Sequence, residues 1–367
     1  MKEDRKRILK MVEEGLISAE EAAELFESLD KADKAEKAEK EPNQLTEQVK
    51  WDQGESYYSQ NKKQSTTSKK AKLLSLVEEA FTKIKNVDLD FNFGTHTVVS
   101  HIFHSQNVDV SNLDIDIANG SLTLSPWNEA DVRIECEAKV YQVDDKDRAR
   151  QNFLDTSAFH VDEKQLHFSV PSKQIKTDVV MKIPERLYEK ISVKLFNGPV
   201  NAESVKTKQL RVKTSNGDVT LKRLEGKLLF VETGNGKITT DQVMMEEVET
   251  ETMNGAIHLD GQFHAVDAQT VNGSIQCAWE GENTRTGFFR TTTGSIRLHV
   301  PNTVKIEGKL ESNIGGLHCD LHNYQVVNET KEVIKRTLQF EAQQEHSALL
   351  HIEAETKTGS IWVLPNK

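Results

Sequence analysis

Residues 215–221 read SNGDVTL, and the phrase returns as GNGKITT, MNGAIHL and VNGSIQC. From Gly198 to Gly315 the phrase glycines are spaced 19, 19, 19, 18, 21 and 21 residues apart. Two residues after each Gly stands an apolar side chain: Val200, Val219, Ile238, Ile257, Ile275, Ile296 and Leu317. Before the Gly, alternation continues on the other parity, as in Leu210, Val212, Thr214 and Leu229, Val231, Thr233. Each unit therefore reads as a half-buried strand, a tight Asn-Gly corner, and a second strand. Glycine is expected at the corner for a positive φ.

Asn-Gly between alternating strands also marks hairpins, so a meander is the rival fold. A sustained period with one residue type at one phase favours a parallel β-solenoid. In a parallel coil like residues stack about 4.8 Å apart. Asn216, Asn235, Asn254 and Asn272 would then form an amide ladder beside Gly217, Gly236, Gly255 and Gly273. Thr214, Thr233, Thr252 and Thr270 would make a second column.

Two stretches leave the period. Within 142–169, DDKDRARQNFLDTS predicts a helix and FHVDEKQLHFSV a hairpin. The stretch 320–354 predicts another hairpin, followed by a closing strand at SIWVL. Insertions in a solenoid project from one side or cover an end.

The N-terminal part is different. Residues 4–29 read as a helical hairpin, with Gly15 as the helix stop and Ser18 and Glu21 as a capping box. Ile8, Leu9 and Val12 face Leu25, Phe26 and Leu29, and two helices this short need something to dock on. These six residues are the expected assembly interface, serving a homo-oligomer or a protein partner. Residues 1–40 thus form one domain, 41–69 a flexible polar linker, and 70–367 the repeat domain. Trp51, Tyr57 and Tyr58 interrupt the linker. KAKLLSLVEEAFTKIK (70–85) is an amphipathic helix with Leu73, Val77, Phe81 and Ile84 on one side, expected to cap the open end of the sheet.

The formal net charge of −11 argues against nucleic acid, which needs a basic face. No apolar run approaches the ~18 residues of a membrane span, and the charged start MKEDRKRILKMVEEG lacks a secretory pattern. With Cys136, Cys277 and Cys319 scattered, the expectation is a reduced, cytoplasmic protein, with a place peripheral to a membrane or a membrane-protein partner as the alternative.

Chemistry is sparse. Glu232 and Glu251 would sit on adjacent coils, the one acidic pair in phase for a carbohydrate-cleaving site, though exposed glutamates explain them as well. His96, His101 and His104 are too poorly aligned on a strand to hold zinc. Gly234 and Gly236 lack the strand–helix setting of a phosphate loop. No catalytic residue, metal or cofactor is expected.

The Asn-Gly-x-Ile/Val units, the run DVVMKIPERLYEKISVKLFNGPV and the terminal TKTGSIWVLP resemble a bacterial adhesin-like β-strand-repeat family, a domain of unknown function. The opening RILKMVEEGLISAEEAAELFESL resembles the SHOCT-like helical segment of some members. The resemblance implies a right-handed β-solenoid, no enzymatic activity, and an association with envelope stress. A rigid solenoid with a tethered helical hairpin reads as a non-enzymatic scaffold; the alternative is a carbohydrate-binding or carbohydrate-cleaving β-helix.

Overall fold

The structure is a computed structural model that describes residues 94–332 and 334–366. It is mainly β, with one helix, Lys146–Thr156, among the described residues. The chain winds into a solenoid-like stack of rungs. Each rung has a long strand, a corner at the repeat glycine, and a short strand. Rung 4, for instance, is Lys206–Asn216 followed by Val219–Lys222, and rung 5 is Glu225–Asn235 followed by Ile238–Asp241. Equivalent strands of adjacent rungs pair in parallel, whereas a meander would pair antiparallel: Val212 lies beside Val231, and Val219 beside Ile238.

In spatial order, rung 1 is 165–184, rung 2 is 112–127, rung 3 is 187–203, and rungs 4 to 7 run through 206–279. Rung 8 is 286–300, rung 9 is 349–365 and rung 10 is 305–319. The order departs from the sequence once at each end. Rungs 1 and 3 are consecutive in the chain, yet 112–127 lies between them. Rungs 8 and 10 are consecutive too, yet 349–365 fills the level between them. The excursions expected at 142–169 and 320–354 therefore end inside the stack, with Gln165–Val170 and Leu349–Thr358 serving as rung strands.

The core is a set of vertical columns. Leu122, Val200, Val219, Ile238, Ile257, Ile275, Ile296 and Ile361 are stacked by register and buried. Each such side chain contributes about 1.5–3 kcal/mol by leaving water. In the long strand the inward parity slips, so that Thr207 and Leu210, or Met245 and Val248, are buried three residues apart. Lys208, Lys227 and Glu246 drop out of the pairing there, which turns the coil through another corner. Near rung 8 the small Gly287 makes room for the fully buried Trp279, whose ring meets Phe289 edge-on at 5.6 Å.

Both ends are covered. Val132–Tyr141 pairs antiparallel with 175–184 of rung 1, and His96–Ser105 pairs antiparallel with Val132–Tyr141. The helix packs on both strands through Ala149 and Phe153. Ala158–Asp162 forms a hairpin with Gln165–Val170. At the other end, Arg336–Ala342 pairs antiparallel with rung 10 and carries the exposed strand Gln325–Lys331 on its far side.

Rung 9 is the last part of the chain and holds rung 10 in place. Removing 349–367 is expected to raise hydrophobic-dye fluorescence and abolish cooperative thermal unfolding, because it uncovers the edges of rungs 8 and 10 together. Val327→Thr, at a residue 62% exposed, is expected to leave both readouts unchanged.

Candidate functional surface: the ladder corner and the outer face

The corner is built by three side-chain types acting on one another. Asn216, Asn235, Asn254 and Asn272 form a continuous ladder, each Nδ2 donating to Oδ1 of the preceding asparagine at 2.7–2.9 Å. The ladder begins earlier than those four residues. Asn216 donates to Asn197, Asn197 donates to Asn119, and Asn119 donates to the Lys173 carbonyl at 2.6 Å. The signal for the two added members was present in ANGSL and FNGPV. Beyond Asn272 the position is Thr293, and the amide ladder ends.

Below the amides lies the threonine column. Buried Thr233, Thr252, Thr270, Thr291 and Thr356 donate Oγ1 hydrogen bonds of 2.9–3.2 Å to the carbonyls of Gly217, Gly236, Gly255, Gly273 and Gly294. Thr214 makes the same bond to Gly198 at 3.5 Å, and Ser312 replaces threonine in rung 10, donating to Gly359. A buried hydroxyl needs such a partner, and here it satisfies a corner carbonyl at the same time.

The reason for glycine differs from the expected one. A left-handed φ occurs at Gly120, Gly198, Gly294, Gly315 and Gly359, but not at Gly217, Gly236, Gly255 or Gly273. At those four, a Cβ would fall 1.9–2.1 Å from the carbonyl oxygen of the glycine one rung below. Close backbone approach excludes every side chain there. Non-glycine residues take the left-handed backbone in the turn that follows the short strand and leads to the next rung, at Ser204, Arg223 and Gln242.

The outer face of the long-strand sheet carries the charged columns. Glu232 and Glu251 are neighbours in register, as their phase requires. Glu232 is ion-paired with Lys213, and both Arg211 and Lys213 lie over the Phe230 ring, at 4.2 and 5.3 Å to its centroid. On the short-strand sheet, Trp362 is stacked with His318 at 5.5 Å, while Arg297 lies over its ring. The histidines of His96–Ser105 do not converge. His96 packs by Tyr141, His101 on Phe103 and Phe153, and His104 bonds to Asp131 at 3.0 Å. Burial, and secondarily Arg150, pushes the His101 pKa down. Among the described residues no three His, Cys, Asp or Glu are grouped to hold a metal ion.

The cysteines are buried free thiols. Burial pushes Cys136 up to about 12, Cys319 up to about 11, and Cys277 upward as well. The proposed interface residues Ile8, Leu9, Val12, Leu25, Phe26 and Leu29, the linker, and the 70–85 helix lie outside the described residues.

Three outcomes are expected. Thr233→Val removes a buried bond and strands the Gly217 carbonyl, costing about 1–3 kcal/mol in urea unfolding. Asn235→Ala costs less, about 1 kcal/mol, because water replaces the amide at an exposed corner. Titration of the full chain with a thiol reagent at pH 8 is expected to find no reactive thiolate until the protein is unfolded.

Residues 105–361 match Toastrack DUF4097, and residues 3–34 match the SHOCT-like domain. The chain is 42% identical over 361 residues to "Uncharacterized protein YvlB" of Bacillus subtilis (strain 168), covering 98% of each. Among solved structures it is similar to a "putative adhesin" of Bacteroides fragilis NCTC 9343. That match has 12% identity and a TM-score of 0.40, covering 73% of this chain and 97% of the other. A second, from Parabacteroides merdae ATCC 43184, has 11% identity and a TM-score of 0.41, covering 72% and 96%. With its Asn-Gly corners stacked rung upon rung over most of its length, the chain belongs to the Toastrack DUF4097 family.

Proposed function

We propose that the chain is a non-enzymatic scaffold: a right-handed parallel β-solenoid that presents a rigid wall, joined through the polar linker to N-terminal helices that self-associate or dock a partner. One observation carries this reading. The residues that recur at fixed phase bond to their equivalents one rung away, so the repeat's chemistry serves cohesion between rungs. Substrate chemistry would need recurring polar groups aimed at open space, and the corner amides and hydroxyls are aimed along the stack. Buried thiols suit a reducing compartment, which supports a cytoplasmic position, peripheral to the membrane and to envelope-stress proteins.

Carbohydrate binding is the second reading, for which the in-register pair Glu232 and Glu251 is the candidate feature. Sugar recognition by stacking needs an open aromatic face. Trp362 on the short-strand wall has His318 and Arg297 against it, which weighs against that reading.

The scaffold reading is tested on the full chain by light scattering. Leu9→Asp combined with Phe26→Asp is expected to lower the oligomeric mass while the far-ultraviolet β signal stays unchanged. An unchanged mass would remove the assembly role from residues 1–40.

A further inference from the structure

The two walls of the stack leave four strand edges among the described residues, and three of them are blunted. Leu317–Cys319 is three residues long and Ala158–Asp162 five, so each offers little backbone to a partner. Gln325–Lys331 carries Glu329 and Lys331, and its register shifts between Val326 and Asn328. The fourth edge, His96–Ser105, has none of these guards. It runs ten residues, pairs with Val132–Tyr141 without a break in register, and contains no Lys, Arg, Asp, Glu, Pro or Gly. Its other side joins no backbone ladder among the described residues. The charges that usually protect an edge, here Arg133, Glu135, Glu137 and Lys139, stand one strand further in.

The pattern on this strand reads the same in both directions. Its exposed face presents His96, Val98, Ser100, Ile102 and His104. On the inward face Val99 is buried, and Phe103 packs on Phe153, Phe159 and Phe168. Val98 and Ile102 are 43% and 51% exposed, and each stands two residues from Ser100. An antiparallel strand of the same sequence, with its dyad through Ser100, puts Val98 opposite Ile102 of the second copy and Ile102 opposite its Val98. Ser100 then meets Ser100, and His96 meets His104. Parity is kept as well, since outward residues face outward residues and Val99 faces His101 on the inward side. A two-fold contact needs a surface that complements itself, and this strand supplies one. The Lys146–Thr156 helix packs on the inward side of both strands, where it covers a face and does not pair with the edge.

We propose that His96–Ser105 is a dimerisation edge, at which two copies of this chain join antiparallel about Ser100 and the sheet of one continues into the sheet of the other. The ladder over 96–104 is about 30 Å long. It holds no lysine, arginine or carboxylate, and its two Val98–Ile102 pairs are of the β-branched kind that stabilises neighbouring strands. An interface of one strand pair falls at the small, transient end of the range, so the dimer fraction follows concentration. The surface is separate from residues 1–40 and goes beyond the assembly role proposed for them. Two stacks joined this way lie end to end, with the Gln325–Lys331 strands at the opposite tips.

Disulfide trapping at the dyad tests partner and register together. Directly opposite residues have Cα atoms about 4.5–5.5 Å apart, a gap that a disulfide spans. The native thiols are buried and stay out of the reaction. In the oxidised full chain, Ser100→Cys is expected to give at least about tenfold more covalent dimer than Gln276→Cys, an exposed position in the middle of the same wall. Val98→Cys, whose counterpart lies four residues along, is expected to stay near the Gln276→Cys level. Adding Ile102→Lys, which restores a charge to the edge, is expected to lower the Ser100→Cys dimer at least about tenfold. Val98→Lys replaces it should circular dichroism show that Ile102→Lys disturbs the fold. Trapping is expected to persist when Leu9→Asp and Phe26→Asp are added, which separates this edge from association through residues 1–40. Trapping no greater than at Gln276→Cys, equal trapping at Val98→Cys, trapping that survives the lysine, or trapping lost with Leu9→Asp and Phe26→Asp overturns the proposal. A Ser100→Cys thiol that stays unlinked and reacts slowly with maleimide at every protein concentration assigns the edge to another part of the same chain, and overturns it too.

Discussion

Backbone contact at the glycine corner sets everything else in the stack. The corner carbonyl of one rung lies where the Cβ of the next would be, so the rungs close to strand spacing only if that residue has no side chain. Once the backbones are that close, a threonine three residues earlier reaches the carbonyl, and an asparagine one residue earlier reaches its own counterpart. Register follows from this geometry. A slip by one residue would bury lysines and glutamates and break amide, hydroxyl and glycine contacts together. The inward columns of valine, isoleucine and leucine supply most of the stabilisation, and the corner decides how they align.

Much of this could be read directly from the residues. Asn216, Asn235, Asn254 and Asn272 recur at one phase because each needs the next, so periodicity in the sequence is a direct trace of contact in space. The helix and both hairpins of the excursions were legible from local composition. Other features leave no such trace. The role of Gly217 and its equivalents is an approach between rungs, which single-chain turn rules assign to φ. Ser204, Arg223 and Gln242 take the left-handed conformation with ordinary side chains, so nothing in their identity announces the turn from one rung to the next. Gly287 is small because Trp279, on the preceding rung, needs the volume. The places of 112–127 and 349–365 in the stack depend on long-range pairing, to which a repeat period is blind. The candidate surface was legible in part. Glu232 and Glu251 stood out by phase, but the burial of Glu251 could only come from three dimensions.

The outer columns obey looser rules than the inner ones. Outward positions at one phase run through lysine, glutamate, glutamine and arginine, and paired charges such as Lys213 with Glu232 or Arg290 with Glu355 add little each at a solvated surface. The fold therefore leaves its wall free to vary while the corner and core stay fixed. That separation is what a display scaffold requires: the interior defines a lattice of positions, and the exterior decides what the lattice presents.

The two interleaved ends have a consequence for how the molecule is made. During synthesis, 112–127 emerges well before the two rungs that flank it, and 349–365 emerges only after both of its neighbours exist. The first segment must wait, and the last must slide into a level already bounded above and below. Zippering outward from the middle rungs is open to 206–279, but the level of 112–127 can be sealed only once 187–203 has emerged, and that between rungs 8 and 10 only once 349–365 has. A chain broken off before residue 349 would carry an open slot at that end, with two sets of unpaired strand edges facing each other across it.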